Sequence, residues 1–246
     1  LVFARSIQQS MMPCENCLSN VFPDSFKWNQ PRDQMSGDFF WMKRHDGCYL
    51  TAVCDCTGHG VAGALLSILG TTLLNQLDLN QTGLKPSAIL EILREKLTEA
   101  LRTSYQHQEV HSSGMDVALS VWNPDTRELQ FAGAYRPLLV IRNNEATHTH
   151  IKGTRAPIGK HPKTIDFEDH TLRLEEGDSV FMFTDGITDQ DGPARERYRI
   201  SRLSTFLLEV KDLPMAEQKV RLQQEMKRWQ DTTPQLDDML MVGFRV

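Results

Sequence analysis

Three apolar stretches of this chain each meet aspartate at one end. Tyr49-Leu50-Thr51-Ala52-Val53-Cys54 leads into Asp55, and Ser179-Val180-Phe181-Met182-Phe183-Thr184 leads into Asp185. Asp237-Asp238 opens the run Met239-Leu240-Met241-Val242-Gly243-Phe244. Each run has the length and residue types of a β-strand. Two strands ending in acids and one beginning with them place every carboxylate at one end of a sheet, provided the third runs antiparallel. Asp38 stands just before a further apolar run, in Ser36-Gly37-Asp38-Phe39-Phe40. Whatever fold the chain adopts must accommodate negative charge concentrated at strand ends.

The remaining pattern supplies the fold class. Residues 1–12 carry Leu1, Ile7 and Met11 among polar positions, a helical pattern that stops before Pro13. The next segment, to about residue 35, is poorly periodic. Residues 39–43 and 49–54 read as strands around a turn at His45-Asp46-Gly47. Residues 61–77 read as a helix that is apolar nearly all round and therefore expected to be buried. A second helix spans 86–104, with Ile89, Leu90, Leu93, Leu97, Ala100 and Leu101 on one face. Strands at 117–122 and 128–132 flank the turn Asn123-Pro124-Asp125-Thr126. Further strands are expected at 138–142, 171–174 and 179–184, helices at 203–210 and 214–229, and a closing strand at 239–246. Two blocks of helix among hairpin-linked strands argue for an α+β fold, a packed pair of largely antiparallel sheets covered by helices.

At 246 residues the chain can bury one sizeable core. A formal net charge of −5 makes free nucleic acid an unexpected partner. No apolar run is long enough to span a bilayer, and the first residues do not read as a signal peptide. The chain opens on Leu, so it is expected to be a piece of a longer protein. Five cysteines, an odd number, argue for free thiols in a reducing compartment. Cys54 and Cys56 are candidates for a buried strand. The lone pair Cys14 and Cys17 lacks further ligands for zinc and is expected to be structural or idle. His148-Thr149-His150 reads as a solvated hairpin. Gly58-His59-Gly60 lacks the Lys-Ser/Thr of a phosphate loop. The amphipathic stretch 215–229 is expected to pack against the core.

Crowded carboxylates lose hydration and repel one another, so they persist only when protonated or held by a cation. All-oxygen ligation suits Mg2+ or Mn2+ better than Zn2+. Two such ions can share a bridging water and clamp the oxygens of an in-line phosphoryl displacement. An aspartate beside a strand is more commonly a turn residue or a helix cap, so the case rests on the combination and on Gly37, Gly58, Gly60 and Gly186 beside the acids. Asp116, in Gly114-Met115-Asp116-Val117, either reaches the edge of this site or is a surface acid of an edge strand.

The segments Ser36-Gly37-Asp38-Phe39-Phe40, Asp55-Cys56-Thr57-Gly58-His59-Gly60, Thr184-Asp185-Gly186-Ile187-Thr188-Asp189 and Asp237-Asp238-Met239, in this order, resemble the bacterial SpoIIE/RsbU branch of the PPM (PP2C-like) phosphatases. Phe131-Ala132-Gly133-Ala134-Tyr135-Arg136-Pro137-Leu138-Leu139 is similar to that family's Asn-Ala-Gly-His-x-Pro strand. Ala156-Pro157-Ile158-Gly159 and Glu176-Gly177-Asp178 are similar to its Pro-Leu-Gly loop and Gly-Asp turn. The Asp55–Gly60 motif together with Gly114-Met115-Asp116-Val117-Ala118-Leu119 resembles the SiaA-type subgroup, whose members carry membrane-anchored sensor segments ahead of the phosphatase. Residues 7–13 resemble the helical segment that joins the two.

The resemblance implies a PP2C-like sandwich over residues 14–246, preceded by a helical linker at 1–13. It implies a binuclear Mn2+ or Mg2+ site in which Asp55 bridges both ions and the Cys56 carbonyl ligates one. Asp185 and Asp237 hold the other ion, and Asp38 binds directly or through water. Asp189 matches a position tied to a third, weakly bound ion. A water bridging the metals attacks phosphoserine or phosphothreonine, with His59 a candidate for protonating the leaving oxygen or supporting the site, or simply a turn-shaping loop histidine. The implied substrate is a STAS-type, anti-anti-sigma-like protein in a partner-switching pathway, and the implied setting is the cytoplasmic part of an inner-membrane sensor, dimerised through its linker. Ala132 and Tyr135 depart from the family pattern. The phosphate-binding arginine of eukaryotic relatives has no clear counterpart; Arg32, Arg136 and Arg155 are candidates. A catalytically silent binding module with the same fold is the alternative.

Overall fold

A strand that is apolar at every position needs cover on both faces. The computed structural model, which describes residues 2–12, 16–102, 113–161, 163 and 165–246, shows how that cover is provided. Helices α1 (Val2–Met11) and α2 (Cys17–Val21) precede strands β1 (Ser25–Gln30), β2 (Phe39–His45) and β3 (Cys48–Cys56). Helices α3 (Gly60–Asn75) and α4 (Pro86–Arg102) follow. Then come β4 (Gly114–Asn123), β5 (Glu128–Ala134), β6 (Leu138–Ile141), β7 (His148–Ile151), β8 (Ile158–Gly159), β9 (His170–Arg173) and β10 (Ser179–Phe183). Helices α5 (Asp185–Thr188), α6 (Arg199–Glu209) and α7 (Met215–Gln230) lead to β11 (Met239–Arg245).

The strands form two antiparallel sheets, ordered β1-β11-β10-β6-β7 and β2-β3-β4-β5-β9, with β8 paired to β4. Alternation along each strand sorts its side chains between layers. Phe40, Val53, Ala118 and Phe131 of one sheet meet Val140, Val180, Met182, Leu240 and Val242 of the other. The opposite faces turn outward: Trp41, Leu50, Ala52 and Cys54 pack under Leu74, Ile89, Leu90 and Leu93. On the far side Trp28, Leu139, Phe181 and Met241 pack under Leu203, Leu222 and Met226. The result is helix, sheet, sheet, helix, the α+β sandwich expected from the hairpins. Among the described residues no helix is long and apolar enough to cross a membrane.

Four expectations need correction. The segment before residue 35 is not featureless, because it holds α2 and β1. Phe26 and Trp28 of β1 are buried while Asn29 and Gln30 are exposed, and the strand forms the edge beside β11. The helix expected over 61–77 is not buried all round: its first turns project from the sandwich, leaving Val61 51% and Leu65 62% exposed. The acids do not gather at the end of one sheet, since the three apolar runs are divided between two. Cys17 is disulfide-bonded rather than a free thiol, whereas Cys48, Cys54 and Cys56 are free and buried. Cys14 lies outside the described residues, as do the expected last residues of the second helix, 103 and 104.

Candidate active site

Antiparallel pairing brings six strand termini to one end of the gap between the sheets. Strands β3, β5 and β10 finish there; β2, β4 and β11 begin there. Each delivers a charged side chain. Asp55 lies near the end of β3 and Asp116 near the start of β4, directly opposite each other in register, so both project from the same face. Asp38 immediately precedes β2, Asp185 follows β10 as the first residue of α5, and Asp237 sits two residues before β11.

Arg136 comes from the turn after β5. Tyr135 adopts the left-handed conformation there, at φ 57°, and the reversal carries Arg136 over the strand ends. Its guanidinium lies 2.9 Å from Asp185, 3.0 Å from Asp116 and 3.5 Å from Asp55. It therefore ties the two sheets together through their acids. Its Nε is buried with no hydrogen-bond partner among the described residues.

The floor of the site is built from hydrogen bonds. Thr184 Oγ1 donates to Asp38 at 2.6 Å and accepts from the Leu240 N–H at 3.0 Å. Asp238, beside Asp237 in sequence, does different work: its buried carboxylate accepts from the N–H groups of Arg32 and Gly37, both at 2.7 Å. It thereby fixes the loop that carries Asp38. Gly186 lets α5 close onto this loop, since a Cβ there would come within 1.9 Å of the Asp238 carbonyl. Cys56 turns its thiol into the core. Its carbonyl oxygen lies beside Gly37, 3.2 Å from where a Cβ on that glycine would be.

Burial dominates the electrostatics. It pushes the Asp38 carboxyl well up, with Asp55 adding and Thr184 opposing. It pushes Asp55 well up too, with Asp185 adding and Arg136 opposing. Asp116 is raised to about 6, chiefly by burial. Partial burial raises Asp237 against the Asp238 N–H, which lowers it. Burial opposes the Arg136 charge, but Asp185, Asp55 and Asp116 outweigh it and raise that pKa. Five carboxylates thus cluster where one guanidinium pairs with only three of them, and the excess negative charge has to be met by protons or by added cations.

The outlying residues are equally well defined. Asp189 ends α5 one helical turn after Asp185, its N–H donating to the Asp185 carbonyl at 2.7 Å. It pairs with Arg197 at 2.8 Å. His59 precedes α3, and its Nδ1 lies 2.8 Å from Asp33. Arg32 binds the Leu236 carbonyl through Nη1, and Arg155 is exposed.

The sequence profile of Stage II sporulation protein E (SpoIIE) matches residues 45–246, most of the chain and nearly all of this constellation. The chain belongs to the SpoIIE family. Phosphoserine phosphatase RsbU of Bacillus subtilis is 22% identical over 160 residues, which cover 65% of this chain and 44% of that protein. The match thus spans less than half of that relative. The SiaA-PP2C domain of Pseudomonas aeruginosa superposes with a TM-score of 0.88 at 28% identity, covering 99% of this chain and 94% of that one. RsbX, solved in complex with magnesium, shares the fold at a TM-score of 0.61 and 16% identity, covering 90% of this chain and 94% of that one.

Within this SpoIIE domain, Asp38, Asp55, Asp185 and Asp237 do meet around one end of the sandwich, with the Cys56 carbonyl beside the loop of Asp38. Asp189 stands at the rim. Asp116 belongs to the cluster and is not an isolated surface acid. Among the described residues no three His, Cys, Asp or Glu side chains close into a ready-made cation cage, and Arg136 is bonded to three of the acids. Asp238 and Thr184 were not singled out from sequence as supports of Asp38. The adjacency of Thr184 to Asp185 was a signal for one; nothing in the sequence distinguishes the roles of the neighbouring Asp237 and Asp238.

Proposed function

We propose that this chain is the catalytic domain of a divalent-cation-dependent protein phosphatase acting on phosphoserine or phosphothreonine of a small STAS-type regulatory protein in a bacterial partner-switching pathway. The observation that carries this reading is the meeting of Asp38, Asp55, Asp116, Asp185 and Asp237 from five separate segments, with a single guanidinium paired to three of them, Asp55, Asp116 and Asp185. Their donor set is oxygen only, and burial raises the proton affinity of four of them. Such a set fits hard divalent cations, which would relieve the repulsion that protons otherwise relieve. In this reading Asp38, Asp55, Asp185, Asp237 and the Cys56 carbonyl hold two Mn2+ or Mg2+ ions, and Asp189 a third, weaker one. When bound, the cations supply Lewis-acid stabilisation of the phosphoryl oxygens and a lowered pKa for water.

The chain's own groups do the rest. Asp238 and Thr184 hold Asp38 in place. Arg136 keeps the acids of the two sheets together through its two terminal nitrogens. Hydrolysis joins a water oxygen to phosphorus while the bond to the serine or threonine oxygen breaks and that oxygen gains a proton. The contact with Asp33, which can hold the imidazole in one orientation, supports His59 as the source of that proton. The domain would follow a membrane-anchored sensor through the helical linker at 1–13 and lie on the cytoplasmic side.

The test is Mn2+-dependent phosphate release from a phosphoserine protein. Asp55→Ala and Asp185→Ala are each expected to lose activity by a factor of roughly a hundred or more, with unchanged circular dichroism. Full activity in Asp55→Ala would reject the assignment.

A further inference from the structure

Past Asp185, Asp189 and Asp191 the sign of the charge along the chain reverses. The chain between α5 and α6 is a tight, well-anchored loop. Asp191 and Arg197 bridge antiparallel, the Gly192 N–H donates to the Glu196 carbonyl at 2.9 Å, and the Tyr198 N–H donates to the Gln190 carbonyl at 2.9 Å. Its base is buried. Tyr198 packs edge-on against Trp229 with ring centroids 5.4 Å apart, and Trp229 Nε1 donates to the Gln190 carbonyl at 3.0 Å.

What this loop displays is arginine. Arg195, Arg197, Arg199 and Arg202 are all exposed and fall within eight residues of a chain whose net charge is −5. Arg197 pairs with Asp189 at the rim of the acidic site, and Arg202 lies over the Trp229 ring at 4.2 Å. Among the described residues no carboxylate pairs with Arg195 or Arg199. Both adopt the left-handed backbone, at φ 59° and 66°, a conformation costly for any side chain. A groove of about 450 Å3 runs between Arg197, Arg199 and Arg202, with Tyr198, Ser201 and Thr205 in its walls and Glu196 as its one acid, so three guanidinium groups outnumber one carboxylate there.

We propose that this arginine loop is a docking platform for an acidic segment of the protein substrate, next to its phosphorylated residue. The inference rests on the phosphatase reading above. A cluster of acids repels a phosphorylated, acidic partner at long range, and cationic groups on the approach offset that repulsion and speed encounter. Guanidinium groups also bind carboxylates in a planar, paired geometry that lysine does not match. The loop begins at Asp189, one turn from Asp185, and Arg197 reaches back to it, so the platform adjoins the acids that would receive the phosphate.

The test uses the intact chain, two labelled phosphoserine peptides that differ only in acidic or lysine flanks, and p-nitrophenyl phosphate. Arg195 and Arg199 are changed together to Glu, and separately to Lys; Arg197 is left alone because it pairs with Asp189. The wild type is expected to bind the acid-flanked peptide about tenfold tighter by fluorescence anisotropy, with the gap closing as salt rises. The Glu variant should lose about tenfold in both binding and kcat/KM for that peptide while p-nitrophenyl phosphate turnover stays the same. The Lys variant should keep most of the preference. Equal binding of the two peptides by the wild type, or an unaffected Glu variant, overturns the proposal. So does a Glu variant that loses only its affinity for phosphatidylserine vesicles, which would assign the patch to a membrane surface. Peptide preference without any turnover, even of p-nitrophenyl phosphate, would defeat the phosphatase reading and leave the platform standing.

Discussion

Thr184 shows how much a single side chain can settle here. It is fully buried, its hydroxyl gives a proton to Asp38 and receives one from the Leu240 N–H, and it stands directly before Asp185. Thr184→Val keeps the shape and removes the polar atom. It should lower the unfolding free energy by about 1–3 kcal/mol, because an N–H and a carboxylate are left buried without a partner. Urea titration checks this effect. Loss of the hydroxyl that fixes Asp38 should also raise the Mn2+ requirement for phosphate release, with Thr184→Ser close to wild type. The acids at strand ends were legible in the sequence because apolar runs stop abruptly at Asp55 and Asp185. Asp116 was left open because its neighbour across the strands, Asp55, is set by register, which the residues themselves do not announce. Arg136 was one of three candidate arginines, and only the left-handed turn at Tyr135 distinguishes it.

At the scale of elements, the site depends on how closely short pieces approach. Helix α5 is a single turn, so its fit against the start of β11 decides where Asp185 points. Gly186 makes that fit possible. Gly186→Ala should cost about 1–3 kcal/mol in stability as α5 is pushed away. It should also reduce phosphate release more than its stability loss explains, measured well below the melting temperature. The same scale explains what was missed. Strand β1 carries a period-two signal in Phe26 and Trp28, but with only two apolar members before Asn29-Gln30 it is short, and its place beside β11 is a long-range pairing. Helix α3 misled in the other direction. Composition marked it as buried throughout, whereas its first turns project beyond the sheet beneath them.

For the molecule as a whole, the acidic cluster is a standing cost that conditions can relieve. Asp116 binds its proton more tightly folded, at about 6, than unfolded, at an ordinary 3.8. Its stabilising contribution is therefore complete below the unfolded value and lost as pH rises through about 6. The cation-free chain should melt at a higher temperature near pH 5 than near pH 7.5, and saturating Mn2+ should shrink that difference by raising the melting temperature at the higher pH. Differential scanning calorimetry with and without chelator reads both. Assembly is a separate matter at this scale. Helix α1 leaves Ile7 42% and Met11 38% exposed, which supports pairing of two copies through the linker. Light scattering at high protein concentration is expected to show a dimer, and a monomer with residues 1–13 intact would count against it.

The division of the acids between two sheets has a mechanical consequence. Asp55 and Asp116 ride on one slab, Asp185 and Asp237 on the other, and the slabs meet through interdigitated hydrocarbon with Arg136 as a polar tie at this end. Ions gripped from both sides would act as rivets through the pair. Loading the catalytic centre and stiffening the sandwich would then be one event, and any force that sheared the slabs by a fraction of a side chain would be felt first as a loosened grip.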